Sequence, residues 1–282
     1  MIEFRNDGLV FSFPEVHPEA RCSIIFQRTL RVPEDSRSYP VPPGLGRFSL
    51  ERVDDHRDSV PVSWARGGAL LPMYQSEALL VIFVGWYPFA IKVTVGGVNA
   101  VTGKKLQDER CWRPQDYVVF PRRPWMEWFC VGNGRARQFV AMPLGKEYGA
   151  IPGSPEGYSG GDIRITAHPM RADSYGEYRA RRSALMSDGV GIEGVWNASV
   201  PGKGMFQRHG ERGREFGHGA WELSAESECS VYPVNSRDFA RITGHVPPGK
   251  PPTRIEYTEA GLPWHGEYGE DVRALGRSAA LS

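Results

Sequence analysis

Along most of this chain the apolar positions follow the two-residue period, or the short unbroken apolar runs, that mark strands. Cys22 to Val32 reads as a strand closed by Pro33. Ala78 to Gly85 is an apolar run of strand length, and Phe89 to Val95 leads through Gly96-Gly97 into Val98 to Val101 as a hairpin. Tyr117 to Phe120 predicts a further strand stopped by Pro121. Met126 to Val131 and Arg135 to Ala141 flank Gly132-Asn133-Gly134, whose residues tolerate positive φ and predict a second hairpin. Asp162 to Ala167 and Glu228 to Val234 add two more strands.

Helical signals are fewer. Short helices are predicted near Leu50 to Arg57 and near Val62 to Arg66, the latter stopped by Gly67-Gly68. Asp173 to Met186 reads as a helix ending at Asp188-Gly189. Asn235 to Thr243 reads as another, capped by Asn235 or Ser236 and ended by Gly244. A last helix is expected from Glu267 to Arg277. Between these lie Gly/Pro-rich connectors at Tyr39 to Gly46, Pro143 to Gly161, Pro201 to Gly219 and from Pro247 onward.

The pattern predicts a mainly β protein: a β-sandwich or barrel-like N-terminal part over residues 1–170, and a smaller α+β region over 171–282. That second region contains the proline-rich connector and a tail, Ala260-Gly-Leu-Pro-Trp264, expected to dock onto the body. Composition sharpens this reading. With 33 Gly and 23 Pro in 282 residues the chain is rich in turn formers, while 40% hydrophobic residues suffice for a packed core.

The balance of 34 basic against 33 acidic side chains creates no global field, so nucleic acid and membrane surfaces are not expected as partners. Met1 to Phe13 lacks the pattern of a secretory signal, and the most apolar run, Ala78 to Val84, falls well short of the roughly 20 residues that span a bilayer. A cytoplasmic location is the expectation. Cys22, Cys111, Cys130 and Cys229 are scattered without a Cys-x-x-Cys pair and read as reduced thiols.

No phosphate-binding loop, dinucleotide fingerprint, nucleophile elbow or zincin helix is present. His209, Glu211, Glu215 and His218 mix imidazole and carboxylate in a glycine-rich segment, but their spacing matches no ligand template, so neither metal nor other cofactor is expected. Trp112, Arg113, Arg122, Arg123, Trp125 and Trp128 could stack a ring and hold an anion, or could fill a core and a solvated turn. Tyr74, Gln75 and Glu77 precede the most apolar strand, where they could line a pocket as acid and base or could satisfy loop amides. The candidate binding residues are therefore Tyr74, Gln75, Glu77, Arg122, Arg123 and Trp125.

Arg28-Thr-Leu-Arg-Val-Pro33, Tyr39 to Phe48, Leu71 to Ala78, Ile242-Thr-Gly244 and Ala260 to Trp264 together resemble a family of uncharacterised bacterial proteins. The resemblance covers most of the chain and implies no activity or cofactor. The functional expectation is a non-catalytic binding or assembly protein, partnering itself or another protein. The alternative is a hydrolase or isomerase with an acid–base site at Tyr74, Gln75 and Glu77.

Overall fold

The computed structural model describes residues 1–33, 39–105, 115–121, 124–130, 136–140, 162–187 and 216–264. The chain is mainly β, as its periodicity predicts. The first sheet carries β1 (Ile2–Phe4), β2 (Gly8–Ser12), β3 (Arg21–Leu30), β4 (Gly44–Arg47), β7 (Glu77–Gly85) and β11 (Trp125–Met126). Its order is β1-β2-β3-β7-β11, with β4 also on β3, and every pair is antiparallel.

The second sheet carries β5 (Glu51–Arg52), β6 (Ala69–Met73), β8 (Phe89–Val95), β9 (Val98–Asn99), β10 (Val118–Phe120), β14 (Ile163–Pro169) and β15 (Ser227–Asn235). Its order is β10-β8-β14-β15-β6-β5, with β9 on β8. Only β15 and β6 run parallel in it. Strand β15, from the second half of the chain, thus bonds β14 on one side and β6 on the other. A small hairpin, β12 (Trp128–Cys130) with β13 (Ala136–Gln138), forms a separate two-stranded sheet, tied to its neighbours by the Cys130 N–H on the Ala100 carbonyl and by a bridge between Phe139 and Leu79 of β7.

Alternation sets which side chains form the core. Cys22, Ile24 and Phe26 of β3 are buried beside Phe83, Val81 and Leu79 of β7. Ile91, Val93, Ile163, Ile165 and Val231 of the second sheet belong to the same hydrophobic cluster. Strand β8 is buried on both faces, which explains its unbroken apolar reading.

The outer face of the second sheet is divided. Leu70, Tyr232 and Val234 pack there with Phe239 and Ile242 of helix α2 (Ser236–Thr243), and Trp64 stacks on Tyr232 with centroids 4.2 Å apart. Asn235 caps α2 by accepting from the Asp238 N–H, and Gly244 closes it at φ +83°, as the sequence signals predict. Helix α1 (Ala172–Ser187) follows β14 and packs its Tyr175 ring 4.2 Å from Tyr87.

Several sequence expectations need correction. The two short helices after Leu50 are single 3₁₀ turns, Val53–His56 and Val62–Trp64. The strand expected from Met126 to Val131 is broken at Glu127 into β11 and β12, which join different partners. The stretch after Pro247 is not only a connector: helix α3 (Arg254–Glu259) begins at Thr253, whose side chain forms a reciprocal capping box with Glu256. Tyr257 and Leu262 then sit buried against Leu30 and Val32. The hairpin turn at Gly132-Asn133-Gly134 and the helix expected at 267–277 lie outside the described residues.

Candidate functional site

The three residues Tyr74, Gln75 and Glu77 lie where the chain leaves β6 of the second sheet and enters β7 of the first. A change of sheet within three residues demands a tight turn. The Glu77 N–H donates to the Tyr74 carbonyl at 3.0 Å, and the Tyr74 N–H donates to Glu77 Oε2 at 2.9 Å. Glu77 therefore closes its own turn.

Its carboxylate is 1% exposed and lies on the core-facing row of β7, diagonally across from Arg28 on β3. Arg28 Nε donates to Glu77 Oε1 at 2.6 Å, and Nη2 bonds the same oxygen. Burial of a carboxylate is tolerated when it is paired and hydrogen-bonded in this way. Arg28 Nη2 also reaches the Lys250 carbonyl at 2.7 Å. The Tyr74 hydroxyl donates toward the Gly249 carbonyl at 3.1 Å, with the Pro247 carbonyl at 3.4 Å. Arg31 Nη1 donates to the Gln75 carbonyl at 3.0 Å.

These bonds fasten the C-terminal segment to the end of the first sheet. Both oxygens of Glu77 are engaged, and the Tyr74 hydroxyl is turned onto a backbone carbonyl. Gln138 adds a further clamp, accepting from the Val32 N–H at 2.7 Å and donating to the Leu30 carbonyl at 3.2 Å.

The other candidates fall elsewhere. Trp125 pairs with Ile82 on β11, five residues beyond Glu77 along β7 and on the opposite face, about 17 Å away at strand rise. Its Nε1 donates to Glu127 at 2.8 Å. Arg122 and Arg123 lie outside the described residues, as do Trp112, Arg113, His209, Glu211 and Glu215. His218 begins a 3₁₀ turn, His218–Ala220. Among the described residues no group of three or more His, Cys, Asp or Glu side chains is placed to hold a metal ion.

Sequence reading missed a second polar cluster. On the outer face of the second sheet, away from the part covered by α2, Lys92 and Thr94 of β8 stand beside Thr166 and His168 of β14. Lys92, Thr94 and His168 are all buried. Lys92 Nζ lies 3.2 Å from Asp116 Oδ2, and Asn99 Nδ2 holds the Asp116 carbonyl at 2.7 Å. His168 Nε2 is 3.9 Å from Glu226, which is largely exposed. Burial, and then the neighbouring Lys92 charge, pushes His168 down to about 4, so its imidazole is neutral near neutrality. The signal available in the sequence was a lysine inside the apolar run Phe89 to Val95.

Cys22, Cys130 and Cys229 are free thiols. Burial raises the Cys22 thiol well above its ordinary range and Cys229 to about 12, helped by Glu228, which leaves both poor nucleophiles. A scan against family models, a search of curated proteins and a search of solved structures each return no match to this chain.

Proposed function

We propose that this chain is a non-catalytic binding or assembly protein on a sandwich-like β scaffold, with its contact surface on the outward face of the first sheet. One observation carries the reading: Trp86 is 74% exposed directly after β7, two residues beyond Val84, which is 46% exposed. Leu80, Ile82 and Val84 alternate with the core residues of β7 and so point away from the core. Ile25 on β3 and Trp125 on β11 flank Ile82, and both are half-buried. Contiguous apolar surface rimmed by polar residues is the usual mark of a protein contact, and aromatic anchors dominate such contacts.

The first partner to test is a second copy, since one patch can meet itself across a two-fold axis. A cytoplasmic setting suits the free thiols. Size-exclusion chromatography with light scattering should find the parent as a dimer or larger, and Trp86→Glu should weaken association about thirtyfold or more. A parent that stays monomeric across the micromolar range, and that retrieves no partner which Trp86→Glu loses, overturns the reading.

A second reading, a hydrolase or isomerase, draws its support from the buried Lys92, Asp116 and His168. The side-chain groups of Tyr74 and Glu77, and the carbonyl of Gln75, are taken up in the bonds described above. Turnover of an ester or keto substrate that His168→Gln abolishes, with melting unchanged, would decide for it.

A further inference from the structure

We propose that helix α1 governs the contact face of the first sheet: its Tyr175 braces the corner that presents Trp86, so that the anchor is held in place only while α1 is docked. The inference rests on the reading of Trp86 as the anchor of a contact between copies.

The corner has little stiffness of its own. Residues 86–88 carry the chain from β7, which ends at Gly85, to β8, which begins at Phe89 in the other sheet. Gly85 stands at φ +150°, and a Cβ there would lie 3.0 Å from the Arg21 carbonyl oxygen, so the position favours glycine. Glycine in turn leaves the backbone free to pivot. What fixes the corner must come from outside it.

Two adjacent residues there have opposite surroundings: Trp86 is 74% exposed, whereas Tyr87 is buried. The Tyr87 hydroxyl donates to the Met170 carbonyl at 2.6 Å, and the Met170 N–H donates to the Pro88 carbonyl at 2.9 Å. Both bonds end at the junction between β14 and α1. The Tyr87 ring lies 4.2 Å from that of Tyr175 and 5.4 Å from that of His17, and His17 meets Tyr175 edge-on at 5.0 Å. Tyr175 donates its hydroxyl to Glu19 Oε2 at 2.6 Å, and Arg179, one turn further along α1, lies 3.7 Å from Glu19 Oε1.

The helix is lightly held. Among the described side chains of α1, Tyr175 is the one that is buried, and most of the others are exposed. A helix this polar draws most of its docking from that ring, so α1 and the Trp86 corner share one contact. Loss of the ring releases α1 and removes one wall of the Tyr87 pocket.

Amide hydrogen exchange of residues 86 and 87, corrected for intrinsic rates and compared with the amides of β3, tests this together with light scattering on the same proteins. Tyr175→Ala should raise the opening constant of the corner about tenfold or more and weaken association by a similar factor, while the β3 amides keep their protection. Tyr175→Phe and Glu19→Ala remove the same hydrogen bond and keep the Tyr175 ring position filled; each should give about threefold, and the two combined no more than either alone. These two decide the matter if Tyr175→Ala does not fold. Corner exchange that stays as in the parent, or faster exchange with association unchanged, overturns the inference and leaves the reading of Trp86 standing. A parent that stays monomeric overturns that reading, and with it the control of assembly by α1.

Discussion

The hydroxyl of Tyr257 donates to the Ser76 carbonyl at 2.7 Å, across 181 residues of chain, and accepts the Arg31 N–H at 3.1 Å. One phenol thus joins the C-terminal helix to both strands of the first sheet that approach the Tyr74–Glu77 turn. Tyr257→Phe keeps the ring and its edge-on contact with Trp264 at 5.3 Å, but strands a buried carbonyl and a backbone N–H. Unfolding in urea should show a loss of about 2–4 kcal/mol. A loss below about 0.5 kcal/mol would mean that water replaces the phenol there without cost.

Glu77→Gln leaves Arg28, itself only 17% exposed, without its anion. Removing one member of a buried pair should lower stability by about 2–4 kcal/mol, whereas the double change Arg28→Met with Glu77→Leu should recover much of it. Because the same pair holds the Lys250 carbonyl, the single variant should also be cut faster by protease near residues 247–252. If Glu77→Gln melts and is cut like the parent, the pair is not what holds the segment.

His168 makes the fold acid-sensitive. Its imidazole is depressed to about 4 in the folded chain, below the ordinary value near 6.5, so between those values the unfolded chain binds more protons. Its contribution is present above about pH 6.5 and is lost as pH falls toward about 4, reaching about 3 kcal/mol. Measured stability should fall across that window in the parent and fall less in His168→Gln. Parallel curves for the two would show that His168 is not the group responsible.

Thiol accessibility should follow burial. Denatured, unreduced protein should yield four thiols, the number of cysteines in the chain. In native protein Cys130, which is half-buried, should react with an aromatic disulfide reagent well before Cys22 and Cys229, whose thiols are buried and held protonated. Fast native reaction of Cys22, confirmed by peptide mapping, would contradict the core packing of β3.

Local pattern alone determined a good deal. The existence of β3, β7, β8, β14 and β15, the Gly96-Gly97 hairpin and both ends of α2 were legible, because strand alternation, turn glycines and capping residues act within a few positions of one another. The capping box of Thr253 and Glu256 was equally local, but four nearby prolines masked it. Only the tertiary structure decided which sheet each strand joins, that β15 runs parallel to β6, and that the Tyr74–Glu77 turn crosses between sheets. The same holds for the sites. Sequence marked Glu77 as a polar residue beside an apolar strand, yet its role depends on Arg28, 49 residues away, and on the carbonyls at 249 and 250. Lys92 of β8 meets Asp116, from the loop before β10, and lies beside the strand that carries His168, and Glu51 meets His245 across 194 residues. Side-chain chemistry is written residue by residue, but burial and partnership arise from contacts between distant segments, which no short-range periodicity encodes.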